Sequence, residues 1–284
     1  MIRLFSIAAG LVFTLVVMTA FAVGAYTFAT EEVEHDASYY FYQKPKAPAG
    51  GFSFEGPLGK WDQAQLQRGF KVYNEVCAAC HSLKYVAFRN LAALGYNEGQ
   101  IKAFAASKQV PGIDPVTGEA TTRPGLPTDH FPSPYPNDVA ARAANNNAVP
   151  PDLSLMTKAR KDGTNYVYSL LTGYGEPSAE LMKKFPDFET PPGLSYNPYF
   201  PNLNLAMAAP LAIEGQVTYD DGTKATVDQM SQDVAAFLTW TAEPTMVKRK
   251  QTGWAVLGFL LFATILAYLS KQQIWAAVKP KKAK

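Results

Sequence analysis

The sequence is poor in cysteine and histidine, with only two Cys and three His among its 284 residues. Two cysteines cannot supply the several disulfides that staple many exported domains. So few ligands also make a structural zinc site difficult to build, because such a site needs about four of them. The chain has no internal repeat, which argues against solenoid and propeller architectures.

Acidic residues are absent from both ends of the chain. All 24 of them, but only 17 of the 26 Lys and Arg, lie within residues 31–247, so this stretch has a formal charge of −7. The other nine bases flank two apolar runs. This pattern indicates an acidic domain tethered to a membrane. Nucleic acid is a poor candidate partner, since binding phosphate requires a basic face.

The C-terminal apolar run, residues 252–270, has 19 residues without a charge. That is about the length of a helix crossing a hydrocarbon core of roughly 30 Å. Trp254 and Tyr268 lie near its ends, where aromatic side chains favour the headgroup level. Three bases precede the run and five lysines follow it. Because basic residues are enriched on the cytoplasmic side of membrane spans, this excess predicts that residues 271–284 form a basic cytoplasmic tail and that the acidic domain lies outside.

The N-terminal run, residues 1–30, has Arg3 as its only charged residue. It fits an export signal with a possible cleavage site at residues 20–22, or a retained first membrane anchor. Either interpretation predicts export of the middle domain. Because the run is poor in Arg and Ser, it does not resemble a mitochondrial transit peptide. We therefore predict a bacterial inner-membrane protein whose domain lies on the periplasmic side.

Between the two runs, the pattern predicts a mostly helical domain over residues 61–247, preceded by an acidic, irregular linker at 31–60. A helix is expected over 63–80 with Asp62 as its N-cap, and another from about Asn165. A final helix has a Thr226–Gln229 capping box and ends at Pro244. Residues 109–151 contain nine prolines and predict a long irregular excursion. Asp-Gly within "QVTYDDGTKAT" predicts a small hairpin at residues 220–222.

Both cysteines lie in the stretch "EVCAACHSLK", where Cys77, Cys80 and His81 form a C-x-x-C-H motif. A dithiol redox site usually lies on a βα turn, which this sequence does not show. Adjacent Cys80 and His81 cannot easily occupy two corners of one zinc tetrahedron. C-x-x-C-H is typical of covalent haem attachment, in which two thioethers hold the porphyrin and the histidine binds iron. The motif therefore predicts one haem c.

The second axial position of such a haem can be filled by Met, by His, or left open. Met207 lies in an apolar, proline-bounded loop ahead of the last helix, "NPYFPNLNLAMAAPLAI". Such a loop can present a thioether while it excludes water. Met207 is therefore the favoured candidate and His130 the next, whereas Met230 fits the apolar face of the last helix.

Several stretches resemble the cytochrome c1 family, the haem subunits of cytochrome bc1 complexes. They are "EVCAACHSLK", "PPDLSLMTKAR", "YVYSLLTGY", "NPYFPNLNLAMAAP", "YDDGTKAT" and "DVAAFLTWTAEP", in the family's order and followed by one membrane anchor. The resemblance implies that His81 and Met207 are the axial ligands and that Arg160 binds a haem propionate. It also implies that Pro150, Pro151 and Tyr166 line the haem pocket. Some relatives carry an extra cysteine pair, and this chain has Gly175 where one such cysteine often falls.

The resemblance implies an all-α, cytochrome c-like haem domain with long Pro-rich insertions, a small β-hairpin and a C-terminal transmembrane helix. It further implies electron transfer from the Rieske iron–sulfur protein to a soluble cytochrome c, beside cytochrome b in a dimeric complex of a respiratory or photosynthetic chain. Two alternatives remain open on the residues alone. One is a membrane-tethered electron shuttle outside any complex, and the other is a haem sensor or enzyme with an open sixth site.

Overall fold

The computed structural model describes residues 2–30 and 34–278. These residues form two compact units, which divide between Phe41 and Tyr42. The first unit contains α1 (Ile2–Thr30) and α2 (Ala37–Phe41). Within it, the imidazole of His35 stacks on the ring of Tyr39 with centroids 3.5 Å apart. Residues 279–284 of the predicted basic tail lie outside the described residues, which end at Val278.

The second unit is mainly helical, as the sequence predicts. Its α-helices are α3 (Gln63–Glu75), α4 (Glu98–Ala106), α5 (Asp138–Ala144), α6 (Met156–Ala159), α7 (Gly163–Thr172), α8 (Ala179–Lys184), α9 (Val227–Ala242) and α10 (Met246–Ala276), with 3₁₀ turns at Cys77–Ala79 and Phe88–Leu94. Two short antiparallel pairs complete it: β1 (Gln109–Ile113) with β2 (Ala120–Pro124), and β3 (Ser195–Tyr196) with β4 (Asn204–Leu205).

The helices α1 and α10 are each long and apolar enough to cross a membrane, with mean hydropathies of 2.3 and 1.9 over their most apolar windows and no buried residue there. The predicted span 252–270 lies inside α10. In the second unit, the ammonium of Lys250 donates to the carbonyls of Phe54 and Gly56 at 3.0 and 2.9 Å. These bonds connect the first turns of α10 to the segment that precedes α3.

The irregular segment before α3 contributes to the hydrophobic core. Phe52 and Phe54 are buried and stack at 5.2 Å, and Phe54 also contacts the ring of Trp61. Residues 52–60 were predicted to belong to a linker. Their aromatic side chains instead place them in the folded domain, because burying such rings stabilises the fold.

Packing of α3 across α9 forms the centre of the core. Phe70 and Tyr73 of α3 contact the ring of Phe237 on α9, each with centroids 5.7 Å apart. Asp62 caps α3 and Thr226 caps α9, as predicted, by accepting from the N–H groups of Gln65 and Gln229. The side chain of Gln229 donates to Asp233 instead of completing the predicted capping box.

Gly69 allows the two helices to approach closely. A Cβ atom at this position would lie 2.0 Å from the carbonyl oxygen of Asp233 and 2.7 Å from the Cβ of Phe237. Both neighbours belong to the body of α9, so neither can move without displacing the helix.

We therefore expect Gly69→Ala to destabilise the domain, although alanine is the better helix former. Overpacking of this kind costs about 1–3 kcal/mol, which corresponds to roughly 2–4 °C in Tm for each kcal/mol in a domain of this size. Thermal unfolding of the detergent-solubilised protein measures the effect. Gly175→Ala is the control, because nothing lies within 4 Å of its Cβ position. Equal Tm values for both variants would contradict the close crossing.

The hairpin predicted at residues 220–222 is wrong in position, since the β-pairs lie elsewhere in the chain. Residues 216–224 form a loop closed by the Gly215 N–H, which donates to the carbonyl of Ala225 at 2.7 Å. Asp221 accepts from the Thr223 N–H and from Arg68 of α3, which together lower the pKa of this carboxyl to about 2. Because the Asp221 carboxylate binds Arg68 of α3, the segment forms a turn held by side-chain bonds and not a pair of β-strands.

Candidate functional site

The cysteine motif lies where α3 gives way to a 3₁₀ turn. The helix predicted over 63–80 ends at Glu75. The backbone then tightens, and the N–H groups of Cys80 and His81 both donate to the carbonyl of Cys77, at 3.1 and 2.9 Å. Both thiols are partly buried, and Cys77 packs against the hydrophobic core. The tight turn brings two sulfurs and one imidazole together at the edge of the core.

The imidazole of His81 has a defined tautomer. Its Nδ1 lies 2.8 Å from the carbonyl oxygen of Pro151. A carbonyl only accepts, so Nδ1 carries the proton and Nε2 keeps a free lone pair. Burial lowers the pKa of His81, which favours the neutral ring. A neutral imidazole whose Nδ1–H is fixed by a carbonyl has the form that binds a metal through Nε2.

The environment of the thiols does not suit dithiol chemistry. Burial, reinforced by the nearby Cys80, raises the pKa of the Cys77 thiol to about 12. Catalytic dithiols depend on a lowered thiol pKa. Among residues 2–30 and 34–278, no three His, Cys, Asp or Glu side chains gather as metal ligands, so a zinc site of that kind is not found there. The donor set fits covalent haem better than either alternative.

Tyr135 is a neighbour of the motif that the sequence did not single out. Its hydroxyl lies 3.7 Å from the sulfur of Cys80. It belongs to "FPSPYPND", part of the Pro-rich stretch 109–151 that was predicted only as a long irregular excursion. No local pattern marks this tyrosine, because its contact with Cys80 spans 55 positions of the chain.

Pro150 and Pro151 begin the segment that faces the motif, and the Pro151 carbonyl makes the bond to His81. Tyr166 lies on α7 and is buried. Arg160 is exposed at the end of α6, with extended backbone. Burial raises the pKa of the Tyr166 hydroxyl, and the nearby Arg160 guanidinium partly opposes that shift. The structure therefore brings Arg160 and Tyr166 together.

Met207 follows β4 in a partly buried loop. The hydroxyl of Tyr174 donates to the Met207 carbonyl at 3.1 Å. Buried Asn197, which directly follows β3, donates its side-chain amide N–H to the carbonyl of Leu170 on α7 at 2.8 Å. These two bonds hold the β3–β4 pair and the Met207 loop that follows it against α7 and Tyr174, and Tyr174 in turn interacts with Tyr166. A fixed loop of this kind can present a thioether in a constant position.

Other histidine and methionine side chains of the domain lie in different surroundings. His130 is exposed, and its backbone pairs with Ala87 in an isolated antiparallel bridge. Met230 is fully buried in α9, as expected for a core methionine. Met182 on α8 has 40% of its surface exposed.

Comparisons with known proteins agree with the resemblance seen in the sequence. The model of the cytochrome c1 family matches residues 52–278. Cytochrome c1 of Rhodospirillum rubrum is 48% identical over 241 residues, 80% of this chain and 87% of that protein. Cytochrome c1-2, a mitochondrial heme protein of Solanum tuberosum, is 43% identical over 263 residues, 91% of this chain and 95% of that protein.

A longer relative, cytochrome b/c1 of Bradyrhizobium diazoefficiens, is 47% identical over 246 residues. The match takes in 81% of this chain but only 36% of that protein, so the chain spans about a third of its length. The family match begins at Phe52, the first buried residue of the aromatic segment ahead of α3. The chain belongs to the cytochrome c1 family.

Proposed function

We propose that this chain is the haem subunit of a cytochrome bc1 complex and carries one haem c. Cys77 and Cys80 would form the thioether links, and His81 and Met207 would be the axial ligands. The observation that carries the proposal is the pairing of the His81 Nδ1–H with the Pro151 carbonyl, next to two thiols, in a chain of this family.

Haem c, when bound, supplies one-electron chemistry between ferric and ferrous iron. The residues of this chain would set its environment. His81 and Met207 would close both axial positions, which leaves no site for dioxygen or substrate. Arg160 would offset the charge of a propionate, while Pro150, Pro151 and Tyr166 would exclude water. Each of these roles affects potential and access, and none makes or breaks a substrate bond.

The proposed route has this subunit receive an electron from the Rieske iron–sulfur protein and reduce a soluble cytochrome c. Quinol would be oxidised on cytochrome b, within a dimeric complex. The relative from Bradyrhizobium diazoefficiens, whose printed name combines cytochrome b and c1, supports the pairing with cytochrome b. The apolar helices α1 and α10 support membrane anchoring. The excess of basic residues after the C-terminal apolar run over those before it favours a periplasmic haem domain.

The formal charge of −7 over residues 31–247 favours encounter with a basic cytochrome c. We expect the second-order rate of cytochrome c reduction to fall as ionic strength rises, because exposed charges are screened within about 10 Å at 0.1 M salt. Stopped-flow measurement with the prereduced protein tests this. An acidic cytochrome c is the control, and its rate should rise with salt. A rate to the basic partner that is independent of salt would contradict a role for the acidic surface.

Purification separates this proposal from a stand-alone shuttle. Under mild detergent, the affinity-tagged chain expressed in a bacterium that makes the other subunits should retain cytochrome b and the Rieske protein. Recovery of the haem-bearing chain alone, with cytochrome b intact elsewhere in the membrane, would favour the shuttle. Carbon monoxide tests the open-site alternative, since a reduced haem with a methionine ligand should not bind it at neutral pH.

A further inference from the structure

Two short segments lie side by side at the candidate haem site, residues 81–85 and 151–154. The N–H of Leu153 donates to the carbonyl of Ser82 at 2.9 Å. The N–H of Tyr85 donates to the hydroxyl of Ser154 at 3.1 Å. Together with the bond from His81 to Pro151, these contacts join the end of the cysteine motif to the segment that opens with two prolines.

Asp152 lies at the centre of this contact. Its Oδ2 accepts from the hydroxyl of Ser82 at 2.7 Å and from the N–H of Lys84 at 2.8 Å. Its Oδ1 accepts from the N–H of Ser154 at 3.0 Å. One carboxylate therefore gathers three donors from both segments, directly after the proline whose carbonyl holds the histidine.

We propose that Asp152 is a positioning residue, which fixes the Pro151 carbonyl against the His81 Nδ1–H. This inference rests on the proposed haem ligation by His81. Asp152 makes no hydrogen bond to the imidazole ring, whose Nδ1 bonds to the Pro151 carbonyl. Asp152 acts through the backbone. It directly follows Pro151, and its carboxylate accepts from Ser82, which directly follows His81. The carboxylate therefore fixes the distance between the Pro151 carbonyl and His81.

The site requires a carboxylate and not an amide. Two of the three donors are backbone N–H groups, which cannot reverse their direction. An asparagine has one accepting oxygen and one donating NH₂ group. In either flip state its NH₂ would face the N–H of Ser154 or that of Lys84. Replacing one carboxylate oxygen of Asp152 by an NH₂ group is therefore enough to weaken the contact between the two segments, while the side chain keeps its shape.

Weakening the contact between the two segments should change the ligand strength of the His81 imidazole toward iron. A partner that accepts from the distal ring nitrogen makes a ligating histidine more electron-donating. A longer bond from His81 to Pro151 would make the ring a weaker donor, which favours ferrous iron. It would also open the Nδ1–H to solvent.

The test compares Asp152→Asn and Asp152→Glu with wild type in the haem-loaded, full-length protein. Expected results are faster hydrogen exchange at the His81 Nδ1–H, followed by NMR, and a higher midpoint potential in both variants. Asp152→Glu keeps the charge but displaces the carboxylate, so it separates position from electrostatics. Asp114→Asn is the matched control, because Asp114 also accepts from two backbone N–H groups, in the turn after β1, and should change neither quantity.

A wild-type rate of hydrogen exchange at the His81 Nδ1–H in both Asp152 variants would overturn the proposal. A shift in potential seen only in Asp152→Asn would also overturn it, because such a shift reflects the loss of charge and not the position of the carboxylate. If Asp152→Asn fails to mature, Ser82→Ala removes one donor without changing charge and should speed exchange to a smaller extent. Unchanged exchange in Ser82→Ala would then overturn the proposal. Failure of the proposed function is distinguishable, because wild type itself would then carry no haem.

Discussion

Replacing Met207 by leucine is expected to leave haem attached to the protein and to lower its midpoint potential. Leucine has nearly the same volume but no sulfur, so it cannot ligate iron. A thioether ligand raises the potential of a haem. The expected fall is on the order of a few tenths of a volt, within the roughly 0.8 V that axial ligation spans. Redox titration followed at the α-band of the visible spectrum measures it.

Two variants control for this experiment. Met182→Leu makes the same change on a half-exposed methionine of α8 and should leave the potential unaltered. His130→Gln removes the second candidate ligand and should likewise have no effect. The reduced Met207→Leu protein should also bind carbon monoxide, because the sixth position is then open. A wild-type potential in Met207→Leu, or a changed one in His130→Gln, would identify Met207 as the wrong ligand.

Replacing both Cys77 and Cys80 by alanine is expected to abolish covalent haem entirely. Cys77 and Cys80 are the only cysteines of the chain, so no other thiol can replace them. Each single variant should keep one thioether link, and its pyridine derivative should absorb at longer wavelength because one vinyl group remains. Haem staining after denaturing electrophoresis, normalised to the amount of chain, measures the loss.

A matched control for the cysteine variants is Ser154→Ala, which alters a buried side chain of the facing segment without touching a thiol. It should retain full haem staining even if it lowers stability. Haem that stays covalently bound in the double cysteine variant would contradict attachment at Cys77 and Cys80.

Local patterns predicted the features that depend on neighbouring residues. The C-x-x-C-H motif, the caps at Asp62 and Thr226 and the two apolar helices were all read from short stretches of sequence. Family resemblance added the fold, and the family match confirms it. Each of these signals is carried by residue type and spacing alone.

Features that depend on distant parts of the chain were not predictable in this way. The contact between Tyr135 and Cys80 spans 55 positions, and the bond from Ser82 to Asp152 spans 70. The hairpin at residues 220–222 was wrong for the same reason. Its Asp-Gly signal is local, whereas Arg68 and Lys71 of α3 hold Asp221 and Asp220 in a different turn.

The most direct measurement is extraction of the purified wild-type protein with acidified acetone, followed by the alkaline pyridine spectrum of the protein pellet. We predict that one haem per chain stays with the pellet and that its spectrum shows two saturated vinyl groups. Haem found in the acetone layer, or a pellet without the spectrum, would contradict attachment through Cys77 and Cys80.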